Sequence, residues 1–170
     1  MIRRLLLAGL AVVLLCGIGG AWLVSPGRML SSPDLTPVLD AAIRGVPGIT
    51  GTDSVVFGRR ALRSWIPLWP STVREWPASI VDSVAATKLV VAQSATQQSA
   101  CTRNIPVCPI DRHITVAVSV PRIVGKFATL EAASSAREAD GGVAYVMYAF
   151  LLHRGGNGWH VVRQRVLHDS

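Results

Sequence analysis

Acidic residues are scarce in this chain of 170 residues, which carries ten Asp and Glu against seventeen Lys and Arg. No two carboxylates stand at a spacing that would pair them on one helix or strand, so the acid–base pair of a glycosidase or protease is not visible. Nucleophile elbows, zinc-binding helix motifs, phosphate-cradling loops and dinucleotide fingerprints are also missing. The sequence therefore predicts no catalytic residue and no cofactor, and it favours a non-enzymatic protein.

Cysteine and histidine are also scarce, with three and four residues respectively. Cys101 and Cys108 have neither a C-x-x-C spacing nor a second Cys or His pair beside them, as a redox or zinc site would need. We therefore expect a structural disulfide between Cys101 and Cys108, formed in an oxidising compartment. Adjacent strands could bring His153 and His160 together, but no third ligand is identifiable, so no metal site is predicted.

A long stretch near the N-terminus contains no charged residue. Leu5–Val24 contains only uncharged and mostly apolar residues, and as a helix it would reach about 30 Å, the thickness of a bilayer's hydrocarbon core. Arg3 and Arg4 precede it, which favours a cytoplasmic N-terminus and an exported remainder. The sequence predicts a single-pass membrane anchor, with the C-terminal domain on the exported side of the membrane.

A cleaved secretory signal is the alternative interpretation of the same segment. Gly19 and Ala21 would supply the small-residue cleavage site, with cleavage before Trp22. In the anchored interpretation, residues 1–24 are the anchor and residues 25–32 a linker. Residues 33–170 then form a single extracytoplasmic domain, since their number suffices for one core.

The formal net charge of +7 is scattered along the chain without a nucleic-acid-reading motif, so no nucleic-acid partner is expected. Arginines and tryptophans concentrate between residues 59 and 76, where prolines exclude a continuous helix. Either these side chains cover the membrane interface or a partner, or the tryptophans fill the core. The partner would be another envelope protein or a second copy of the chain. The candidate interaction surface comprises Arg59, Arg60, Arg63, Trp65, Trp69 and Trp76.

Two helices are predicted in the first half of the domain. The first follows Ser32, a plausible N-cap, and its apolar residues recur at helical spacing. The stripe consists of Leu35, Val38, Leu39, Ala42 and Ile43. A second helix is expected near residues 72–85, with Thr72 and Glu75 as a capping box and a disturbance at Pro77.

The second half of the chain is predicted to be β. Residues 87–95 favour a strand, and residues 113–120 alternate apolar with polar or small side chains, as in a half-buried strand. Residues 122–130 suit an extended conformation, whereas the alanine-rich residues 131–140 suggest a helix or a loop. Two further strands, residues 143–154 and 159–168, are separated by a turn.

The turn, Gly-Gly-Asn-Gly at residues 155–158, is a strong hairpin signal because Gly and Asn tolerate positive φ. If the central Gly–Asn pair forms the loop, His153 faces His160 and Phe150 faces Arg163. If the Asn–Gly pair forms it, the register shifts.

Helices followed by four or more antiparallel strands predict an α+β roll with helices packed on a curved sheet. The closing hairpin, residues 145–153 and 155–162, resembles that of nuclear transport factor 2-like domains. One anchor followed by such a domain is also similar to the inner-membrane scaffold proteins of type IV secretion systems and to mycobacterial Mce-associated membrane proteins. The resemblance implies an anchored domain with that fold in the bacterial inner membrane, with the C-terminal domain in the periplasm or outside the cell. It transfers no site residue.

The leading hypothesis is a membrane-anchored extracytoplasmic scaffold component of a bacterial envelope complex. The alternative is a periplasmic or secreted domain that binds a small ligand or a lipid. It would require a deep apolar pocket lined by Val116, Val118, Phe150 and Leu152.

Overall fold

The computed structural model describes residues 29–49, 55–62, 75–86, 90–92, 107 and 113–169. They form two helices, α1 (Leu35–Arg44) and α2 (Ala78–Ala85). The strands are β1 (Val55–Phe57), β2 (Val90–Ala92), β3 (Ile114–Val118), β4 (Arg122–Val124), β5 (Phe127–Arg137), β6 (Val143–Gly155) and β7 (Gly158–Asp169). The fold class is α+β, as the order of the sequence patterns predicted.

All the strands join one mixed sheet in the order β2-β1-β3-β5-β6-β7, with β4 pairing with β5 beside this path. The ladders from β3 to β7 are antiparallel, whereas β1 pairs in parallel with both β2 and β3. The expectation of an antiparallel sheet is therefore wrong on the β1 side. Parallel neighbours need a crossover connection, and α2 lies in the connection between β1 and β2.

Helix α1 packs its apolar stripe on one face of the sheet, which we call the helix-covered face. The buried residues of α1 are the five predicted ones, Leu35, Val38, Leu39, Ala42 and Ile43. They share one core with side chains from β3, β5 and β6, including Val116, Leu130 and Phe150. Burial of this stripe, rather than helix propensity, holds so short a helix in place.

Helix α2 is shorter than predicted. It begins at Ala78, because Pro77 has an extended backbone with ψ of 140° and stands at the N-cap. Glu75 and Trp76 are not helical, so Glu75 does not act as the third residue of a helix in a capping box. The proline ends the extended segment rather than disturbing a longer helix.

Residues 131–137, expected to be helix or loop, are the second half of the 11-residue strand β5. This strand pairs with β3 and β4 on one side and with β6 on the other. Ala132, Ala133 and Ser135 are at most 1% exposed. Their small side chains allow layers to pack closely on both faces of the sheet, and this packing overrides the weak β propensity of alanine.

Strand β3 is buried on both faces, not on one as predicted. Thr115, Ala117 and Ser119 are as buried as the valines that alternate with them. The reason is a second layer on the face opposite α1, where Leu62 and Val107 pack against Ala117 and Ala133. We call this side the second face.

Strands β6 and β7 form the predicted hairpin, with Gly156 and Asn157 in the turn. His153 pairs with His160, as expected for this loop. Phe150 pairs with Gln164 instead of Arg163, because the register shifts by one residue between Leu151 and Leu152. A β-bulge of this kind cannot be inferred from the turn sequence.

The predicted Leu5–Val24 anchor and the predicted disulfide between Cys101 and Cys108 lie outside the described residues. In the part of the chain that the structure describes, no helix has the length and apolar character needed to cross a membrane.

Candidate functional site

The structure separates the candidate interaction surface predicted from the sequence. Arg60 is exposed and Arg59 is half-buried. Trp76 is only 3% exposed, and its ring centroid lies 6.2 Å from that of Phe57 in the core. This agrees with the interpretation that the tryptophans fill the core and corrects the inclusion of Trp76 in the candidate surface. Arg63, Trp65 and Trp69 lie outside the described residues.

Two hairpin tips lie side by side at one end of the sheet. The first comprises residues 124–127, at the turn between β4 and β5. The second comprises residues 154–159, which are the turn between β6 and β7 and the adjoining strand ends. The backbone N–H of Arg154 donates a 2.8 Å hydrogen bond to the carbonyl oxygen of Lys126. Gly125 has φ of 58°, a left-handed value that suits glycine in so tight a turn. We call these two turns the paired tips.

The first tip exposes two large apolar side chains. Val124 is 55% exposed and Phe127 is 52% exposed, the highest values among the exposed large hydrophobic residues of the described chain. The Phe127 ring centroid lies 4.9 Å from that of His153, and His153 lies 5.6 Å from His160. An aromatic row therefore crosses three strands of the second face, with its apolar end facing solvent.

Basic side chains accompany these apolar groups. Lys126 and Arg154 are exposed, and Arg122 is half-buried. One guanidinium nitrogen of Arg154 lies 3.0 Å from Asp34 Oδ1, and Trp159 Nε1–H donates to the same oxygen at 3.3 Å. Asp34 is the residue that precedes α1, so these contacts join the start of that helix to the second tip.

The N-terminal side of the domain reaches the same end of the sheet. The Met29 side chain is buried, and its sulfur lies 3.2 Å from the backbone N–H of Ile123 in β4. Asp34 contacts the other tip, as described above. Met29 and Asp34 therefore both lie beside the paired tips, a juxtaposition with no marker in the sequence.

Strand β7 forms the edge of the sheet beyond β6, and its residues 162–169 are all exposed. Its exposed apolar residues are Val162, Val166 and Leu167, between 42% and 50% exposed. Arg163 and Arg165 lie among them. This basic and apolar edge was not identified from the sequence, although arginine placed between valines in a final strand is a signal for an exposed position.

A row of buried hydroxyl groups crosses the second face. Thr115 on β3 pairs with Ser135 on β5, and Ser135 pairs with Tyr145 on β6. None of the three hydroxyl oxygens has a hydrogen-bond partner among the described residues. Burial raises the pKa of Tyr145 above its ordinary value of 10.0, because the phenolate would lose solvation.

Two further arrangements considered from the sequence, the histidine pair and the apolar pocket, form no ligand-binding geometry in the described residues. His, Cys, Asp and Glu form no cluster there that could hold a metal ion, so the His153–His160 contact stays a pair. The residues proposed to line an apolar pocket are packed in the core with α1. They are Val116, Val118, Phe150 and Leu152, each at most 2% exposed.

Comparison of the chain with protein-family models, with curated proteins and with solved structures found no match in any of the three.

Proposed function

We propose that this protein is a non-enzymatic, membrane-anchored extracytoplasmic domain that acts as an assembly or scaffold component of a bacterial envelope complex. In this proposal Leu5–Val24 anchors the chain, and the described sheet and helices belong to a roll outside the cytoplasm. The resemblance of the closing hairpin to anchored nuclear transport factor 2-like domains is consistent with this arrangement.

The exposed edge strand β7 is the observation that carries the proposal. An edge strand presents backbone N–H and C=O groups that a further strand can use, and such edges are common sites of protein association. Val162, Val166 and Leu167 add exposed apolar area to this edge. A domain without partners would be expected to protect an apolar edge more completely.

The partner is an extended segment of another envelope protein that carries acidic side chains. In a symmetric antiparallel pair of two β7 strands centred on Gln164, Arg163 of each copy would face Arg165 of the other. Like charges directly opposite each other destabilise a strand pair, whereas Asp or Glu at those positions would stabilise it. The extra residues Val162 and Leu167 at the two register shifts restrict regular pairing to the short stretch between them. In that register charge therefore opposes self-pairing, and the stretch between the bulges leaves room for a short acidic strand.

Photo-crosslinking in native membranes tests this proposal. A photoreactive phenylalanine analogue replaces Gln164 in the full chain, and a second variant carries it at Ser79, an exposed residue of α2. We expect a specific adduct with a different envelope protein from position 164 and not from position 79, identified by mass spectrometry.

Charge reversal then tests the chemistry of the contact. Arg163→Glu combined with Arg165→Glu should abolish the adduct, while Arg137→Glu, a reversal at an exposed arginine at the end of β5, should preserve it. An adduct formed only with a second copy of this chain would contradict the acidic-partner proposal. So would an adduct that persists in the variant with Arg163→Glu and Arg165→Glu combined.

A further inference from the structure

We propose that the paired tips dock on the anionic surface of the bilayer, through Val124 and Phe127 as apolar contacts and Lys126 and Arg122 as phosphate-binding cations. This inference rests on the proposed membrane anchor, because the anchor places the domain at a bilayer. The paired tips are a different surface from the exposed edge of β7, and the inference assigns a lipid ligand to the tips.

Chain length places the tips near the membrane. The peptide steps from Val24, the end of the proposed anchor, to Met29 span at most about 18 Å even when fully extended. Met29 is fixed in the core beside Ile123, one residue before the first tip. The anchor therefore delivers the domain to the bilayer with β4 and the paired tips within reach of the headgroups.

The chemistry of the tips suits a bilayer interface. An exposed valine and an exposed phenylalanine flank a turn that contains a lysine, which gives two apolar groups for the acyl boundary and a cation for phosphate. Arg122 pairs with Thr129 at the base of β4, and exposed Arg154 lies on the neighbouring tip. Asp34, a carboxylate that contacts the second tip, is bound by Arg154 and Trp159, so its charge is partly compensated.

This orientation also leaves the proposed protein-binding edge free. Strand β7 starts at the second tip and runs away from it, so its last residues stand roughly 35 Å from the tip at the usual rise per residue. Docked tips would hold β7 as a strand that projects from the membrane surface. The lipid contact and the partner contact are therefore compatible.

Hydroxyl-radical footprinting of the full chain tests the docking. The protein is compared in detergent micelles, in phosphatidylcholine nanodiscs, and in nanodiscs made from phosphatidylcholine and phosphatidylglycerol in a three-to-one ratio. Phe127 oxidation should fall in the anionic nanodiscs and recover at high salt, because screening weakens the attraction of cations to anionic lipid. Oxidation of Leu167 on β7 serves as the internal control and should be the same in all three samples.

Matched variants separate the apolar and electrostatic contributions. Lys126→Glu should shift the docking equilibrium at least roughly fivefold toward the exposed state, since one basic residue near an anionic surface contributes about 1 kcal/mol. Arg137→Glu, at the other end of β5, should have no effect. Val124→Asp should restore Phe127 oxidation in anionic nanodiscs, whereas Val166→Asp, at a valine of similar exposure on β7, should not.

The outcomes distinguish this inference from the anchor on which it rests. Release of the protein from native membranes by alkaline carbonate would overturn the anchor and the docking together. Retention in the membrane with Phe127 oxidised equally in detergent and anionic nanodiscs would overturn the docking alone. Protection of Phe127 in native membranes but not in lipid nanodiscs would identify a protein as the occupant of the tips and would also overturn lipid docking.

Discussion

Strands β5 and β7 both pair with β6 and have nearly equal lengths, 11 and 12 residues, yet they lie in opposite environments. The interior of β5 is buried on both faces, whereas the last residues of β7 are exposed on both. Their compositions are the reverse of what β propensity predicts, since β5 is rich in alanine and serine and β7 in valine and arginine. Available space, rather than propensity, decides which strand occupies the centre of this sheet.

Truncation of one leucine on each strand tests the difference between β5 and β7 most directly. Leu130 on β5 is 4% exposed and Leu167 on β7 is 42% exposed. Leu130→Ala should lower the free energy of unfolding by about 2–5 kcal/mol, because it leaves a cavity in the core. Leu167→Ala should change it by less than about 0.5 kcal/mol. Urea denaturation of the full chain in detergent micelles gives both values, and equal effects would refute the contrast.

Enlargement of a small buried residue tests whether β5 needs its alanines. Ala133 is fully buried against Leu62 and Val107 on the second face. Ala133→Leu should destabilise the protein by about 1–3 kcal/mol, because the added atoms overpack a close layer contact. Gln164→Leu, which introduces leucine at an exposed position on β7, should be nearly neutral in the same urea experiment. A tolerated leucine at position 133 would show that the second face is loosely packed.

Removal of a buried hydroxyl should change the free energy of unfolding by a smaller amount and in the stabilising direction. Thr115 is fully buried and its hydroxyl has no partner among the described residues. Thr115→Val should therefore raise the free energy of unfolding by about 1 kcal/mol, since an unpartnered buried hydroxyl opposes folding. Thr129→Val, at a half-buried threonine of β5, is the control and should change little. A destabilised Thr115→Val variant would show that the hydroxyl binds a water molecule or a ligand.

The smallest expected effect is a change in alkaline stability. The pKa of Tyr145 is raised in the folded protein by burial, so the neutral phenol is favoured there more than in the unfolded chain. The associated stability is complete below the unfolded pKa of about 10 and is lost as the pH rises through the folded pKa. Tyr145→Phe should therefore flatten the decline of the urea midpoint above about pH 10. A decline of the same slope in both proteins would mean that other groups cause it.

Local patterns in the sequence were sufficient where a segment's own side chains determine its structure. The buried stripe of α1 and the closing hairpin with His153 opposite His160 were both predicted from spacing and turn residues. The paired tips were not predicted, because the contact between Lys126 and Arg154 joins two turns that are distant in sequence. The sequence left Trp76 open between a core and an interface, since aromatic composition alone does not distinguish them, and the structure buries it in the core.

The sequence alone determined the α+β class, the face that α1 buries and the loop that closes the last hairpin, because these depend on periodicity and on backbone freedom at glycine and asparagine. Tertiary structure decided the rest. Parallel pairing of β1, the strand conformation of residues 131–137 and the bulge that moves Arg163 away from Phe150 all depend on neighbours distant in sequence. The same packing decides which side chains remain exposed, and so it sets the position of the paired tips and of the β7 edge. A sequence pattern reflects the preference of each residue for a helix, a strand or the core. The solvent exposure of a side chain depends instead on how completely the other layers of the fold cover that side chain.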